Sequence, residues 1–155
     1  KPVLAHTISI FEKMNRVTKI ILAIPNNDIG FCAENILTPF DFKKEIHLVP
    51  GGGLRKDSVF NCLEYINKSA VNLQKTIVLI HDGVRPLVDE TIINKAIDAA
   101  DRHGAAIPVI PLTDTLKKSG KDQRIKRTIN REKLFLAQTP QAFRFEIIFF
   151  TGSLC

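Results

Sequence analysis

The chain has 155 residues, 45% hydrophobic and 25% charged, which suits one soluble domain with a buried core. No apolar run reaches the length of a membrane span, no charged-then-apolar leader is read at the start, and 8 glycines and 8 prolines are too few for a low-complexity chain. The net charge of +6 is local: Lys117, Lys118, Lys121, Arg124, Lys126, Arg127, Arg131 and Lys133 meet only Asp122 and Glu132, and the rest of the chain sums to zero. Such a segment suits a nucleic acid or a single site for a small polyanion.

In chain order, Pro2 suits the first position of a helix, and Leu4, Ile8 and Phe11 make its apolar stripe. Ile20 to Ile24 reads as a strand buried on both faces, and residues 28–37 as a helix stopped by Pro39. Ile46 to Val49 is a short strand. Val59, Cys62, Leu63 and Ile66 mark a helix after the glycines 51–53. Ile77 to Ile80 is a buried strand, and Ile92, Ile93, Ala96, Ile97 and Ala100 mark the next helix. Ala105 to Ile110 is a strand that Pro108 makes irregular or places at an edge. Phe143 to Phe150 starts a last helix. Alternating strands and helices imply a parallel α/β sheet with right-handed crossovers. The three cysteines, Cys32, Cys62 and Cys155, are odd in number and widely spaced, which fits reduced thiols in an intracellular protein, with Cys62 in the core.

Ligands of such sheets sit beyond the carboxyl ends of strands, and three polar constellations follow strands. Gly51-Gly52-Gly53 leads through Arg55 and Lys56 into a helix, so its N–H groups could cradle an anion; equally, it is a flexible turn capped by Asp57 or Ser58. It is not a Walker A loop. His81-Asp82-Gly83-Val84-Arg85-Pro86 offers Asp82 for a hydroxyl or Mg²⁺ and Arg85 for a phosphate; the alternative is an ion pair in a turn, with His81 packed. Thr113-Asp114-Thr115 with Lys117 and Lys118 could hold a phosphate, or be a polar turn beside a solvated basic face. No nucleophilic triad is present as a motif, which suits chemistry whose attacking group is an already ionised substrate phosphate.

Together these pieces resemble the 2-C-methyl-D-erythritol 4-phosphate cytidylyltransferases. The resemblance runs from Lys1 to about Phe143. Its carriers are the Gly-Gly-x-x-Arg-x-Asp-Ser loop from Gly52 to Ser58, His81 to Pro86, Pro-x-x-Asp-Thr-x-Lys from Pro111 to Lys117, and Arg131 with Gln138-Thr139-Pro140-Gln141-Ala142-Phe143. It implies a Rossmann-like nucleotidyltransferase sheet with helices on both faces, spanning 1–155 as one domain, and a protruding dimerisation arm at about 112–130. It implies transfer of a cytidylyl group from CTP, accompanied by Mg²⁺, to 2-C-methyl-D-erythritol 4-phosphate, giving the CDP-alcohol and pyrophosphate, in a cytoplasmic homodimer, without nucleic acid or membrane. By carry-over, Gly52, Gly53 and Ser58 contact the cytidine end, Asp82 and Gly83 the ribose, and Asp82, Arg85, Thr115, Arg131 and Thr139 the alcohol phosphate. Asp82, Arg85 and Arg131 are the expected catalytic groups.

Several features depart from the family. Its first strand with the triphosphate loop, and a late lysine, are not found in this sequence, so the native protein is expected to be longer. Gly83 stands where alanine is usual, and Gly53 where an acidic or polar residue is common. The competing readings are a ribitol 5-phosphate cytidylyltransferase, a basic nucleic-acid-binding module, and a catalytically dead fragment.

Overall fold

The computed structural model describes residues 1–69 and 72–151; Cys155 lies outside them. Helix α1 (Val3–Lys13) follows Pro2, whose extended backbone (ψ 150°) makes it the cap rather than the first helical residue. It buries Ala5, Thr7, Ile8 and Phe11. Strand β1 (Lys19–Ile24) pairs in parallel with β2 (Glu45–Pro50), in a register from Lys19 opposite Glu45 to Ile24 opposite Pro50. A Lys19–Glu45 ion pair at 3.2 Å closes its first rung. Between the strands, residues 26–40 form one irregular helical segment that tightens, relaxes and tightens again around the short α2 (Ile29–Cys32). Pro39 lies in its last tight turn, so the segment runs past the predicted stop.

Helix α3 (Arg55–Ser69) follows β2. Strand β3 (Ile77–Ile80) leads to α4 (Glu90–His103), which Asp89 caps by accepting from the Thr91 N–H at 2.6 Å. Gly104 ends α4 at φ 90°, a conformation that favours glycine. The predicted strand 105–110 is two: β4 (Ala105–Ala106) and β5 (Val109–Pro111) flank Ile107-Pro108, as a proline without an N–H requires. A hairpin of β6 (Leu116–Ser119) and β7 (Ile125–Ile129) carries most of the basic segment. Strand β8 (Phe135–Ala137) returns along β5. Strand β9 (Gln141–Arg144) precedes α5 (Phe145–Thr151).

Two expectations are corrected. The sheet is not one parallel layer: β1–β2 is parallel, while β9 lies between β3 and β4 and is antiparallel to both. Phe143 was read as the start of the last helix, yet it pairs with Val78 and Ala105 and is 2% exposed. Burial of an aromatic in a central strand overrides a local helical pattern, and the helix starts at Phe145 instead. Strands β1 and β3 are also half-buried throughout rather than fully buried, since among the described residues each pairs on one edge only and leaves the other open.

The side-chain alternation of β3 places helices on both faces. Ile77 and Leu79 pack with Ile93 and Ile97 of α4, with Phe11 of α1 and with Met14 just after it. Val78 and Ile80 pack with Leu63 of α3 and with Phe145 and Ile148 of α5. Ile20 of β1 joins the first of these clusters, so the two sheets share a core without sharing hydrogen bonds. Cys62 is half-buried rather than core, and burial pushes its thiol up to about 11.

Candidate active site

The first loop leaves β2 beside the end of β1, where the Gly51 N–H donates to the Ile24 carbonyl at 2.8 Å. Gly52 then passes so close to α3 that an added Cβ would sit 2.2 Å from Cβ of Asp57, so only glycine fits. Gly53 has open space around it. The Gly52 N–H donates to Oγ of Ser58 at 3.0 Å, and the Leu54 N–H to a carboxylate oxygen of Asp57 at 3.0 Å. Ser58, expected at the cytidine end, thus shapes the loop internally; neither it nor Asp57 is the expected N-cap, since both lie inside α3, and Asp57 instead reaches back to the Leu54 N–H as in a capping box.

The second loop leaves β3. The Arg85 N–H donates to the Asp82 carbonyl at 3.0 Å, closing a turn. Nε2 of His81 lies 2.9 Å from the Arg85 carbonyl, and the imidazole packs on Phe11 with centroids 5.0 Å apart. A carbonyl can only accept, so Nε2 carries the proton and Nδ1 is left as an acceptor. Burial holds this imidazole below its usual pKa, against smaller opposing effects of the Arg85 carbonyl and Asp82. His81 is therefore a packed, neutral turn residue.

Asp82 is the junction. Nε of Arg85 is 2.9 Å from one of its oxygens, and Nη2 of Arg55, at the start of α3, is 3.7 Å from the other. Nη1 of Arg85 also donates to Oε1 of Gln138 at 2.9 Å. Two guanidinium groups around one carboxylate leave the cluster cationic at the ends of β2 and β3. Asp82 is about a third exposed and both arginines about half, so the cluster is reachable from solvent.

Arg85, Gln138, Thr139 and His81 line one side of an open groove of about 800 Å³. Val84, Leu87, Ile92, Val109 and Ile110 give it apolar walls. Few polar groups in a largely apolar groove is the usual make-up of a small-molecule site. Two buried polar atoms of groove-lining residues, His81 Nδ1 and Thr139 Oγ1, have no protein partner among the described residues, and nor does Oε1 of Gln141, which lies outside the lining. Buried polar atoms are rarely left so unless a ligand or water completes them.

Asp82, Arg85 and Thr139 are thus brought to one place, and Arg55 ties the Gly52–Ser58 loop to it. Of the expected site residues Arg85 and Thr139 line the groove; Gly52, Gly53, Ser58, Asp82 and Gly83 do not, and neither do Thr115 and Arg131. These last two sit exposed at the base of the β6–β7 hairpin, where Nη1 of Arg131 donates to the Thr113 carbonyl. Gln138 escaped sequence reasoning as a site residue because its place beside Arg85 depends on β8 returning along β5.

A glycine loop after one strand and an acid–arginine turn after another, at the ends of strands flanked by helices, define an α/β domain with a ligand site at its strand ends. The family profile for 2-C-methyl-D-erythritol 4-phosphate cytidylyltransferase matches residues 1–151, and the chain belongs to that family. The 2-C-methyl-D-erythritol 4-phosphate cytidylyltransferase of Syntrophus aciditrophicus is 42% identical over 147 residues, 95% of this chain and 61% of that protein. Its counterpart in Clostridium acetobutylicum is 40% identical over 148 residues, 96% of this chain and 62% of that protein. Among solved structures, the 4-diphosphocytidyl-2C-methyl-D-erythritol synthase of Anaerococcus prevotii superposes with a TM-score of 0.80 at 32% identity, covering 98% of this chain and 63% of that one. The Francisella tularensis 2-C-methyl-D-erythritol 4-phosphate cytidylyltransferase gives 0.80 at 28% identity, covering 100% and 66%. The chain spans about three fifths of the length of the curated relatives it matches.

Proposed function

We propose that the protein carrying this chain transfers a cytidylyl group from CTP to 2-C-methyl-D-erythritol 4-phosphate, giving the CDP-alcohol and pyrophosphate, in the cytoplasm. The observation that carries this reading, given the family, is the Asp82 junction: one carboxylate gripped by Arg55 and Arg85, tying the glycine loop to the acid–arginine turn. An oxygen of the alcohol's phosphate attacks the α-phosphorus of CTP, a new P–O bond forms, and the α–β bridging bond breaks with its electron pair leaving on pyrophosphate. The attacking phosphate is already ionised near neutral pH, so no side chain has to remove a proton. The task of the residues is to align two anions and offset their repulsion.

In this reading Gly52, Gly53 and Ser58 face the cytidine end, and Asp82 and Gly83 the ribose. Asp82, Arg85 and Thr139 receive the alcohol phosphate, for which the cationic cluster and the unpartnered Thr139 hydroxyl are suited. The residues present do not fit a protein-held Mg²⁺: Asp82 is taken up by two arginines, and the described residues include no group of three or more His, Cys, Asp or Glu able to hold a metal. A divalent ion would accompany CTP on its own phosphates, and no step is derived through it.

Thr115 and Arg131 stand apart from the groove, which favours their serving the groove of a second copy, with the segment 112–130 as the arm of a homodimer. The β8 strand supports this, since Phe135 and Leu136 are each about half exposed, lie outside the groove lining and would be covered by a second copy. Among the described residues no helix is long and apolar enough to cross a membrane.

The test is pyrophosphate release by the full chain supplied with CTP and either methylerythritol phosphate or ribitol 5-phosphate. Turnover of the former at the higher kcat/KM is expected. Turnover of ribitol phosphate alone, or salt-sensitive binding of mixed-sequence DNA or RNA without CTP binding, would overturn the reading.

A further inference from the structure

Helix α1 presents one face to the acid–arginine turn through Leu4, Thr7 and Phe11, spaced as one side of a helix. Phe11 packs on the His81 ring. Leu4 lies close to Gly83, where an added Cβ would sit 3.1 Å from its Cδ1. Between them, Thr7 is 4% exposed on an otherwise apolar stripe. Its single hydroxyl proton has two acceptors in reach: the Val3 carbonyl at 3.2 Å, one helical turn back, and the Gly83 carbonyl at 2.8 Å, 76 residues away in sequence. The shorter contact crosses from helix to loop.

A threonine needed only for its own helix would stop at the Val3 carbonyl. The bond to Gly83 does more. The peptide between Gly83 and Val84 is planar, so turning its carbonyl towards α1 turns the Val84 N–H away from α1. Asp82 lies just before this peptide and Arg85 two residues after it. Both turn ends are closed, by the Arg85 N–H on the Asp82 carbonyl and by His81 on the Arg85 carbonyl. The middle carbonyl, that of Gly83, is held from outside the loop by Thr7.

We propose that Thr7 is a positioning residue, whose hydroxyl pins the Gly83 carbonyl and thereby sets the spacing of Asp82 and Arg85. This rests on the reading of Asp82 and Arg85 as ligand-binding groups. Valine matches threonine in shape but cannot donate, and serine keeps the donor.

The experiment compares wild-type, Thr7→Val and Thr7→Ser in the full chain by three measurements: thermal unfolding, backbone amide exchange over residues 81–86, and steady-state kinetics with CTP and the alcohol phosphate. A single neutral hydrogen bond corresponds to about three- to tenfold. Thr7→Val is therefore expected to remain folded, to speed loop exchange by about that factor, and to lower kcat/KM by a similar factor, chiefly through KM. Thr7→Ser is expected to restore both. Wild-type exchange and kinetics in Thr7→Val, faster exchange with unchanged kinetic constants, or Thr7→Ser as impaired as Thr7→Val would overturn the proposal. If wild-type protein transfers no cytidylyl group, the functional reading falls by itself, and loop exchange then decides whether Thr7 holds the turn.

Discussion

Removing the Arg85 guanidinium separates ligand binding from folding. In the structure this side chain is 47% exposed and makes two contacts, to Asp82 and Gln138, both at 2.9 Å. An ion pair so close to solvent contributes about 0–1 kcal/mol to stability, and Asp82 keeps Arg55 as a neighbour. Arg85→Ala should therefore lower Tm by no more than about 4 °C in a domain of this size. The substrate phosphate loses far more. Hydrogen bonds from a charged donor are worth about 1.5–3 kcal/mol each, so loss of one such bond predicts a fall of about 10- to 150-fold in kcat/KM for the alcohol phosphate. The KM for that substrate should rise while CTP binding persists. Arg85→Lys keeps the charge but not the planar fork, and should fall between the two. The assay is initial-rate pyrophosphate release at varied alcohol phosphate, with thermal unfolding measured on the same preparations. Unchanged kinetics, or a Tm loss large enough to explain the kinetics, would refute the reasoning.

Thr139→Val replaces a buried hydroxyl without a protein partner by a methyl group. Stability should hold or rise by up to about 1 kcal/mol while the alcohol-phosphate KM rises several-fold, and a marked drop in Tm would contradict this. The depressed pKa of His81 makes stability pH-dependent: the unfolded chain takes up a proton near 6.5 that the folded imidazole resists. Stability attributable to this group is complete above 6.5 and is lost as pH falls from there towards the lower folded value. Urea unfolding across that range should show the slope in wild-type and a shallower one in His81→Gln; equal slopes would dismiss it. Mixing Arg85→Ala with Arg131→Ala chains should yield dimers with one intact site, and so more activity than either parent, if the arm serves the partner's groove. No recovery after subunit exchange would tell against that arrangement.

Much of this was legible in the sequence because the signals were local. Apolar runs located β1 and β3, periodic stripes located α1, α3 and α4, and Pro108 marked the break between β4 and β5. The glycine loop and the acid–arginine turn were visible as clusters directly after strands. What stayed hidden depended on distant pairing. Nothing near Gln141 says that it lies opposite Ile80, and nothing in residues 141–144 distinguishes a central antiparallel strand from the start of α5. The link from Arg55 to Asp82 and that from Thr7 to Gly83 join segments far apart in the chain, so only the fold reveals them. Thr115 and Arg131 were expected among the groove residues and lie at the base of the exposed hairpin. The +6 charge, first open to a nucleic acid, lies on that hairpin and its flank.

The central claim is that the phosphate of the alcohol attacks the α-phosphorus of CTP. It is tested most directly by following the full chain with CTP and methylerythritol phosphate by ³¹P NMR. The account predicts that the monoester resonance disappears while diphosphate-diester and pyrophosphate resonances grow in equal amounts. A persistent monoester signal, or release of phosphate from CTP without a new diester, would contradict it.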